Sequence, residues 1–250
     1  MLSRLLYRDA LMLVIDKPAG FAVHKGPKGG ESLEDFFDPL RFGLPRRPAL
    51  AHRLDRDTSG CLVLGRQRKG LAELGSLFKR GRIGKTYWAV VDGGPEADEG
   101  RIDLPLGRLD DTRGWWMKPD PSGQTAITTW KVMGRANFSF TSPLEGEGKE
   151  KLTWLALEPL TGRTHQLRVH CAAMGWPVVG DNIYGTQASL RRLRKESLPR
   201  TGGPALHLHS REVVVPLYKN RDPIRVIAPI PEHMRARLQA CGWKEASEQL

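Results

Sequence analysis

His52-Arg53-Leu54-Asp55-Arg56-Asp57-Thr58-Ser59-Gly60 is the stretch on which the reading of this chain turns. Asp55 stands among three cationic or basic neighbours, and Cys61-Leu62-Val63-Leu64 follows as an apolar run of strand character. By themselves these residues permit three readings. Asp, Thr and Ser packed so closely bind nearby backbone and build a tight loop. Asp55 and Asp57, two residues apart, are the spacing of a metal-dependent phosphatase, one carboxylate as nucleophile and the other as acid. In the third, Asp55 is a lone catalytic carboxylate. The residues before it, Leu50-Ala51-His52-Arg53-Leu54, hold two bases and no long apolar run, and a doubly wound alternation of strands and helices is absent. A motif counts only in its structural context, so the phosphatase reading is the weaker one.

Upstream, Leu11-Met12-Leu13-Val14-Ile15 is a buried-strand run closed by Asp16-Lys17-Pro18-Ala19-Gly20, and residues 24–30 read as a mobile loop. Ser32 opens a short helix with Asp35 as its acidic partner. Downstream, Leu71, Leu74, Leu77 and Phe78 recur at helical spacing within 69–80, and Gly81 is the expected stop. Lys85-Thr86-Tyr87-Trp88-Ala89-Val90-Val91 has strand composition. Gly84-Lys85-Thr86 imitates the end of a phosphate-binding loop, but the first glycine that motif needs would fall at Lys79. Residues 92–123 read as hairpin loops, 125–132 and 152–157 as strands, and 144–151 as a charged turn. A helix is predicted from about Thr161 to Gly175, with Leu167, Cys171 and Met174 on its apolar side. Residues 206–209 and 212–215 read as strands and 232–241 as a closing helix. Strands outnumber helices and are joined mostly by turns, which predicts an α+β fold with a central, largely antiparallel mixed sheet flanked by helices and loops.

The bulk numbers narrow the partner. Lys and Arg number 39 against 28 Asp and Glu, a formal charge of +11 over 250 residues, so a polyanion is the expected ligand and nucleic acid the first choice. Cys61, Cys171 and Cys241 are too scattered for a disulfide framework or a metal-ligand pair, which fits a reducing cytoplasm. The N-terminal stretch is interrupted by Arg4, Arg8, Asp9, Asp16 and Lys17, so neither a signal peptide nor a membrane span is expected. His165 with His170, and His207 with His209, lack the further ligands a zinc site requires and are read as packed or hydrogen-bonded histidines.

The wider constellation separates the readings. His52-Arg53-Leu54-Asp55 with Thr58-Ser59-Gly60 resembles the catalytic motif of the RluA family of RNA pseudouridine synthases. The resemblance extends, in the family's order, to residues 16–20, Lys85-Thr86-Tyr87, residues 162–170 and residues 180–185. It implies the pseudouridine synthase fold as one catalytic domain over 1–250, with no room for the S4-type RNA-binding domain that many relatives carry. It also implies conversion of uridine in a structured RNA, transfer RNA or large-subunit ribosomal RNA, to pseudouridine. The base is cut from its sugar, turned and rejoined through carbon. Asp55 is then the essential carboxylate, and three routes stay open: attack on the anomeric carbon, abstraction of a sugar proton, or addition to the uracil ring.

The same resemblance makes Arg168 the arginine that pairs with the catalytic aspartate, Tyr87 the ring that stacks on the target base and assists proton transfer, and Leu167 a pocket wall. Arg53 enters the space left by a flipped nucleotide. Arg163, His165 and the basic run Arg191, Arg192, Arg194 and Lys195 are expected at phosphates. Asp57 is left to shape the loop. No cofactor or metal is implied, because the rearrangement is redox-neutral, and a cytoplasmic monomer without membrane attachment is expected. A protein of the same fold that only binds RNA is the remaining alternative, and the joint presence of Asp55, Tyr87 and Arg168 argues against it.

Overall fold

Met12-Leu13-Val14-Ile15 is apolar on both faces, and a strand with that composition must be covered on both sides. In the computed structural model these four residues are fully buried and belong to β2 (Met12–Lys17). The structure describes residues 1–26, 29–110, 112, 115–142, 146–186 and 205–245, with the side chains of 138–142 and 146–150 left aside. The described chain divides into two compact units, Met1–Tyr87 with Leu208–Ile230, and Trp88–His207 with the residues from Pro231 onward.

In the first unit β2 lies antiparallel between β1 (Leu5–Arg8) and β4 (Ser59–Gly65). The other edge of β4 is shared. Its C-terminal end meets β3 (Ala49–Leu50), and its N-terminal end runs parallel to β11 (Leu208–Val215) through Ser59 opposite His209 and Gly60 opposite Ser210. β12 (Ile224–Ile227) pairs antiparallel with β11. Helix α1 (Arg68–Lys79) turns Leu74 into a core of Met12, Val14, Cys61, Val63, Val213 and Val226. Gly81 ends it at φ 63°. The predicted helix at Ser32 is a single 3-10 turn, Leu33–Phe36, in which the Asp35 carboxylate accepts from the Ser32 amide and hydroxyl.

β5 (Gly84–Asp92) begins in the first unit and ends in the second. There, β9 (Ile127–Ser142) and β10 (Gly146–Pro159) form a long antiparallel hairpin, and β6 (Glu99–Asp103) pairs with β9. β7 (Leu106–Arg108) and β8 (Met117–Pro119) make a small separate ribbon. Gly146 to Lys151, expected as a turn, are instead strand. Hairpin pairing with β9 satisfies their backbone groups whatever the polarity of the side chains. Helix α2 spans only Gln166–Ala173. The left-handed backbone of His165, at φ 52°, stops it from starting at Thr161, and Met174, expected on its apolar side, is exposed. Helix α3 (Glu232–Ala240) buries Met234 and Leu238 as its spacing predicts. The fold is α+β, with a mixed and largely antiparallel arrangement of strands in which β4 with β11 is the parallel pairing among the described registers.

His52, the first residue of the decisive motif, serves this packing. Its Nε2 accepts from the Val63 amide at 3.0 Å and its ring stacks 4.4 Å from that of Phe78. Burial, helped by the charge of Lys85, holds His52 down to about 3, and burial likewise holds His207 of the second unit down to about 3. A histidine whose native value lies below its unfolded value of 6.5 contributes stability above pH 6.5 and loses it as pH falls toward 3, because unfolding then takes up a proton. The urea midpoint is expected to fall steadily from pH 6.5 to 4, and His52→Gln to shallow that slope. A midpoint that is flat across the range contradicts this account.

Candidate active site

Asp55 owes its place to a turn and to a buried cation. The turn is closed by the Thr58 amide, which donates to the Asp55 carbonyl at 3.2 Å. The cation is Lys17 at the end of β2, whose side chain is wholly inaccessible. Its ammonium donates to the carbonyls of Pro18 at 2.9 Å, Arg56 at 2.8 Å and Thr58 at 2.8 Å. Three acceptors match the three N–H donors that only the charged amine supplies. Burial pulls Lys17 down to about 7 against the charges of Asp57, Asp55 and Asp16.

A second tie joins the same two segments. The Gly20 amide donates to the Arg56 carbonyl at 3.0 Å, and Arg56 Nε donates back to the Gly20 carbonyl at 3.0 Å. Gly20 holds φ 87°, a conformation that favours glycine. The Arg56 carbonyl therefore accepts twice, from Gly20 and from Lys17, and the loop cannot slide along β2 without breaking both bonds. Leu54 is buried, Asp55 is half-buried, and Arg53 and Arg56 are exposed. That leaves Arg53 accessible to a nucleic acid.

Tyr87 lies in the same unit and is almost fully buried. Burial drives its hydroxyl well above the ordinary tyrosine value. Ser210 opposes that shift, and the charge of Asp55 adds to it. Tyr87 is therefore a neutral phenol at physiological pH, able to donate a proton or a hydrogen bond.

Leu167, Arg168, His165 and Arg163 belong to the second unit. Arg168 is buried, and Asp181 grips it bidentately, Nε to Oδ2 at 2.7 Å and Nη2 to Oδ1 at 2.7 Å. Asp181 Oδ1 also accepts the amides of Ile183 and Tyr184, each at 2.9 Å. The guanidinium lies 5.3 Å from the centre of the Tyr184 ring. The Tyr184 hydroxyl accepts from the Met117 amide at 2.9 Å and bonds His165 Nδ1 at 2.9 Å. His165 is accordingly buried, whereas Arg163 is exposed with Nε on the Thr125 carbonyl at 3.0 Å. Gln166 staples the approach to α2. Its Oε1 accepts from Thr161 and the Arg163 amide, and its Nε2 donates to the Ile127 carbonyl and Thr128. His170 bonds Thr128 and the Leu104 carbonyl, so His165 and His170 are held by protein partners, as read from their spacing.

Sequence reading leaves Lys17, Asp181 and Tyr184 without roles, although all three lie within its motif blocks. An acid and an aromatic at 181 and 184 are the available signal, but their partner Arg168 is reached only through the fold. Leu167 is buried on α2. Arg191, Arg192, Arg194 and Lys195 lie outside the described residues.

Removing one member of a buried ion pair strands the other charge and costs about 3–5 kcal/mol. Asp181→Asn keeps the shape but discards the charge, so chemical denaturation is expected to show a loss of that order. A variant within about 1 kcal/mol of the parent would mean that Arg168 is neutralised from elsewhere.

Comparison with known proteins agrees with this reading. A family description of RNA pseudouridylate synthases matches residues 11–173. An RNA pseudouridine synthase of Zymomonas mobilis, described as uncharacterized, is 39% identical over 232 residues, covering 92% of this chain and 94% of the relative. The tRNA pseudouridine synthase C of Vibrio cholerae is 29% identical over 246 residues, covering 97% of each chain. Among solved structures, human RNA pseudouridylate synthase domain containing 4 superposes with a TM-score of 0.73 at 25% identity, covering 98% of this chain and 95% of that one. The motif blocks, the fold and these relatives agree, and the chain belongs to the RNA pseudouridine synthase family.

Proposed function

We propose that this enzyme isomerises a uridine of a structured RNA, with transfer RNA ahead of large-subunit ribosomal RNA, and that Asp55 is the carboxylate that acts on the flipped-out nucleotide. The observation that carries the reading is the restraint on Asp55. Asp55 stands at the head of a loop whose backbone is pinned by Lys17, and it shares its unit with a buried neutral tyrosine, so the residue is placed on a fixed turn before substrate arrives, and positioning is what a redox-neutral rearrangement most needs from its protein.

The roles follow from the chemistry of each group. Asp55 serves as nucleophile or base at the sugar or the ring. Tyr87 offers a flat face to an unstacked uracil and a protonated hydroxyl to the reacting base. Arg168, oriented by Asp181, presents a fixed cation that favours an ionised carboxylate. Leu167 walls the pocket. Arg53 fills the gap left by the flipped nucleotide, and Arg163 and the basic residues 191–195 meet phosphates, whereas the buried His165, bonded to Tyr184, is not placed among the phosphate contacts. The +11 charge suits a polyanion that is gripped mainly through its backbone. The similarity to a relative named for transfer RNA favours that substrate class. We further propose a monomer in the cytoplasm acting as a single catalytic domain.

The decisive experiment maps pseudouridine in transfer and ribosomal RNA from cells with and without this gene, then restores the missing site with purified protein. Asp55→Ala and Asp55→Asn are expected to abolish conversion while RNA affinity stays within a few-fold. Conversion by either variant at the parent rate ends the assignment to Asp55. Loss of sites only in ribosomal RNA redirects the substrate.

A further inference from the structure

The parallel pairing of β4 with β11 brings a second dipeptide, His209-Ser210, beneath the catalytic segment. His209 stands opposite Ser59 and Ser210 opposite Gly60. All four residues are buried, His209 and Ser210 completely. Ser59 Oγ and His209 Nδ1 are hydrogen-bonded at 2.9 Å, a side-chain link across the two strands that locks the register immediately after the Asp55 turn. Gly60 permits the close approach. It holds φ 104°, and a Cβ there would stand 2.3 Å from the Ser210 carbonyl oxygen. Any side chain at 60 would push β11, and Ser210 with it, away from the loop.

On its other side β11 neighbours β5, the strand that carries Tyr87, and the Val90 amide donates to the His207 carbonyl at 3.1 Å beside this pairing, so Ser210 and Tyr87 lie on adjacent strands. Ser210 Oγ is sealed from solvent and reaches no partner at full hydrogen-bonding geometry among the described residues. Ser210 nonetheless opposes the upward shift that burial imposes on the Tyr87 hydroxyl, as a nearby donor does. A buried hydroxyl left without a firm bond is costly, and catalytic hydrogen bonds are often loose before substrate binds. Asp55 and Cys61 raise the cost of negative charge on the Tyr87 oxygen, and Ser210 is the counterweight.

We propose that Ser210 is a positioning residue for Tyr87: its hydroxyl donates to the Tyr87 oxygen in the substrate complex and fixes the direction of the phenol's own O–H, while the Ser59–His209 bond holds Ser210 at the distance this requires. Nothing is consumed and no bond to substrate is made by Ser210. Its effect passes entirely through Tyr87, and the proposal rests on Tyr87 acting on the target uridine as read above.

The test is a double-mutant cycle in single-turnover reactions with enzyme in excess. The probe is bulk transfer and ribosomal RNA from cells lacking the gene. Ser210→Ala is expected to slow conversion about five- to tenfold, the worth of one hydrogen bond, with RNA affinity changed less than about twofold. In the Tyr87→Phe background the same substitution should cost nothing further, because the oxygen it serves is gone. Ser210→Cys, which keeps a weak donor in a similar volume, should fall between parent and alanine, and it replaces the alanine variant if that one does not fold. An unchanged rate in Ser210→Ala overturns the proposal. So does an equal loss in the parent and Tyr87→Phe backgrounds, or a loss confined to RNA affinity or melting temperature. Where the Tyr87→Phe background is too slow to time, that split between rate and affinity decides. An inactive parent enzyme on the same RNA would instead sink the functional reading, and this proposal with it.

Discussion

A single buried ammonium organises the first unit. Lys17 sits at the end of a largely buried strand, and taking its charge out of water would be prohibitive without compensation. The compensation is three carbonyl oxygens, two of which belong to the loop that begins at Asp55. The energetic need of Lys17 and the geometric need of Asp55 are therefore met by the same contacts. The loop takes the path that satisfies the cation, and along that path Asp55 heads a closed turn. The Gly20 amide bond to the Arg56 carbonyl adds a backbone tie that does not depend on charge, and the Arg56 guanidinium returns a bond to the Gly20 carbonyl.

The second unit applies the same logic with the signs reversed. Asp181 is inaccessible to solvent and must have its oxygens filled, and Arg168 and two backbone amides fill them. A guanidinium held bidentately cannot rotate freely, so its plane is set before any substrate arrives. Tyr184 extends the restraint, because its ring lies beside Arg168 while its hydroxyl ties down β8 through Met117 and fixes His165. The cation is thus oriented by a network reaching from α2 to the β7–β8 ribbon. Gln166, with its amide oxygen and nitrogen both engaged, keeps the entry to α2 from fraying.

Much of this was legible in the residues, for reasons that can be stated individually. Strand β2 announced itself because an apolar run closed by Pro and Gly has few other uses. Helices α1 and α3 showed the period of their buried faces. The start of α2 did not, because Thr161 to His165 are compatible with helix and only the left-handed backbone at His165 excludes it. The strand content of 146–151 was hidden by charge and glycine, since pairing along a hairpin is a property of two segments and leaves little mark on either one. Met174 has the right spacing for the apolar side of α2 but lies past its last residue and is exposed.

The site divides along the same line. Asp55, Tyr87 and Arg168 could be proposed from the chain because each falls within a recognisable local motif. Their supports, Lys17, Asp181, Tyr184, His209 and Ser210, could not be assigned, because each acts on a residue distant in sequence, and sequence separation says nothing about which buried donor meets which acceptor. The amino-acid sequence by itself determined the family and the class of reaction, and it singled out Asp55 as the carboxylate proposed to react. Tertiary structure alone decided how that carboxylate and its partners are held still. A buried charge or hydroxyl must find its complement wherever folding puts one, and Lys17 found its complement in the carbonyls of the loop that carries Asp55.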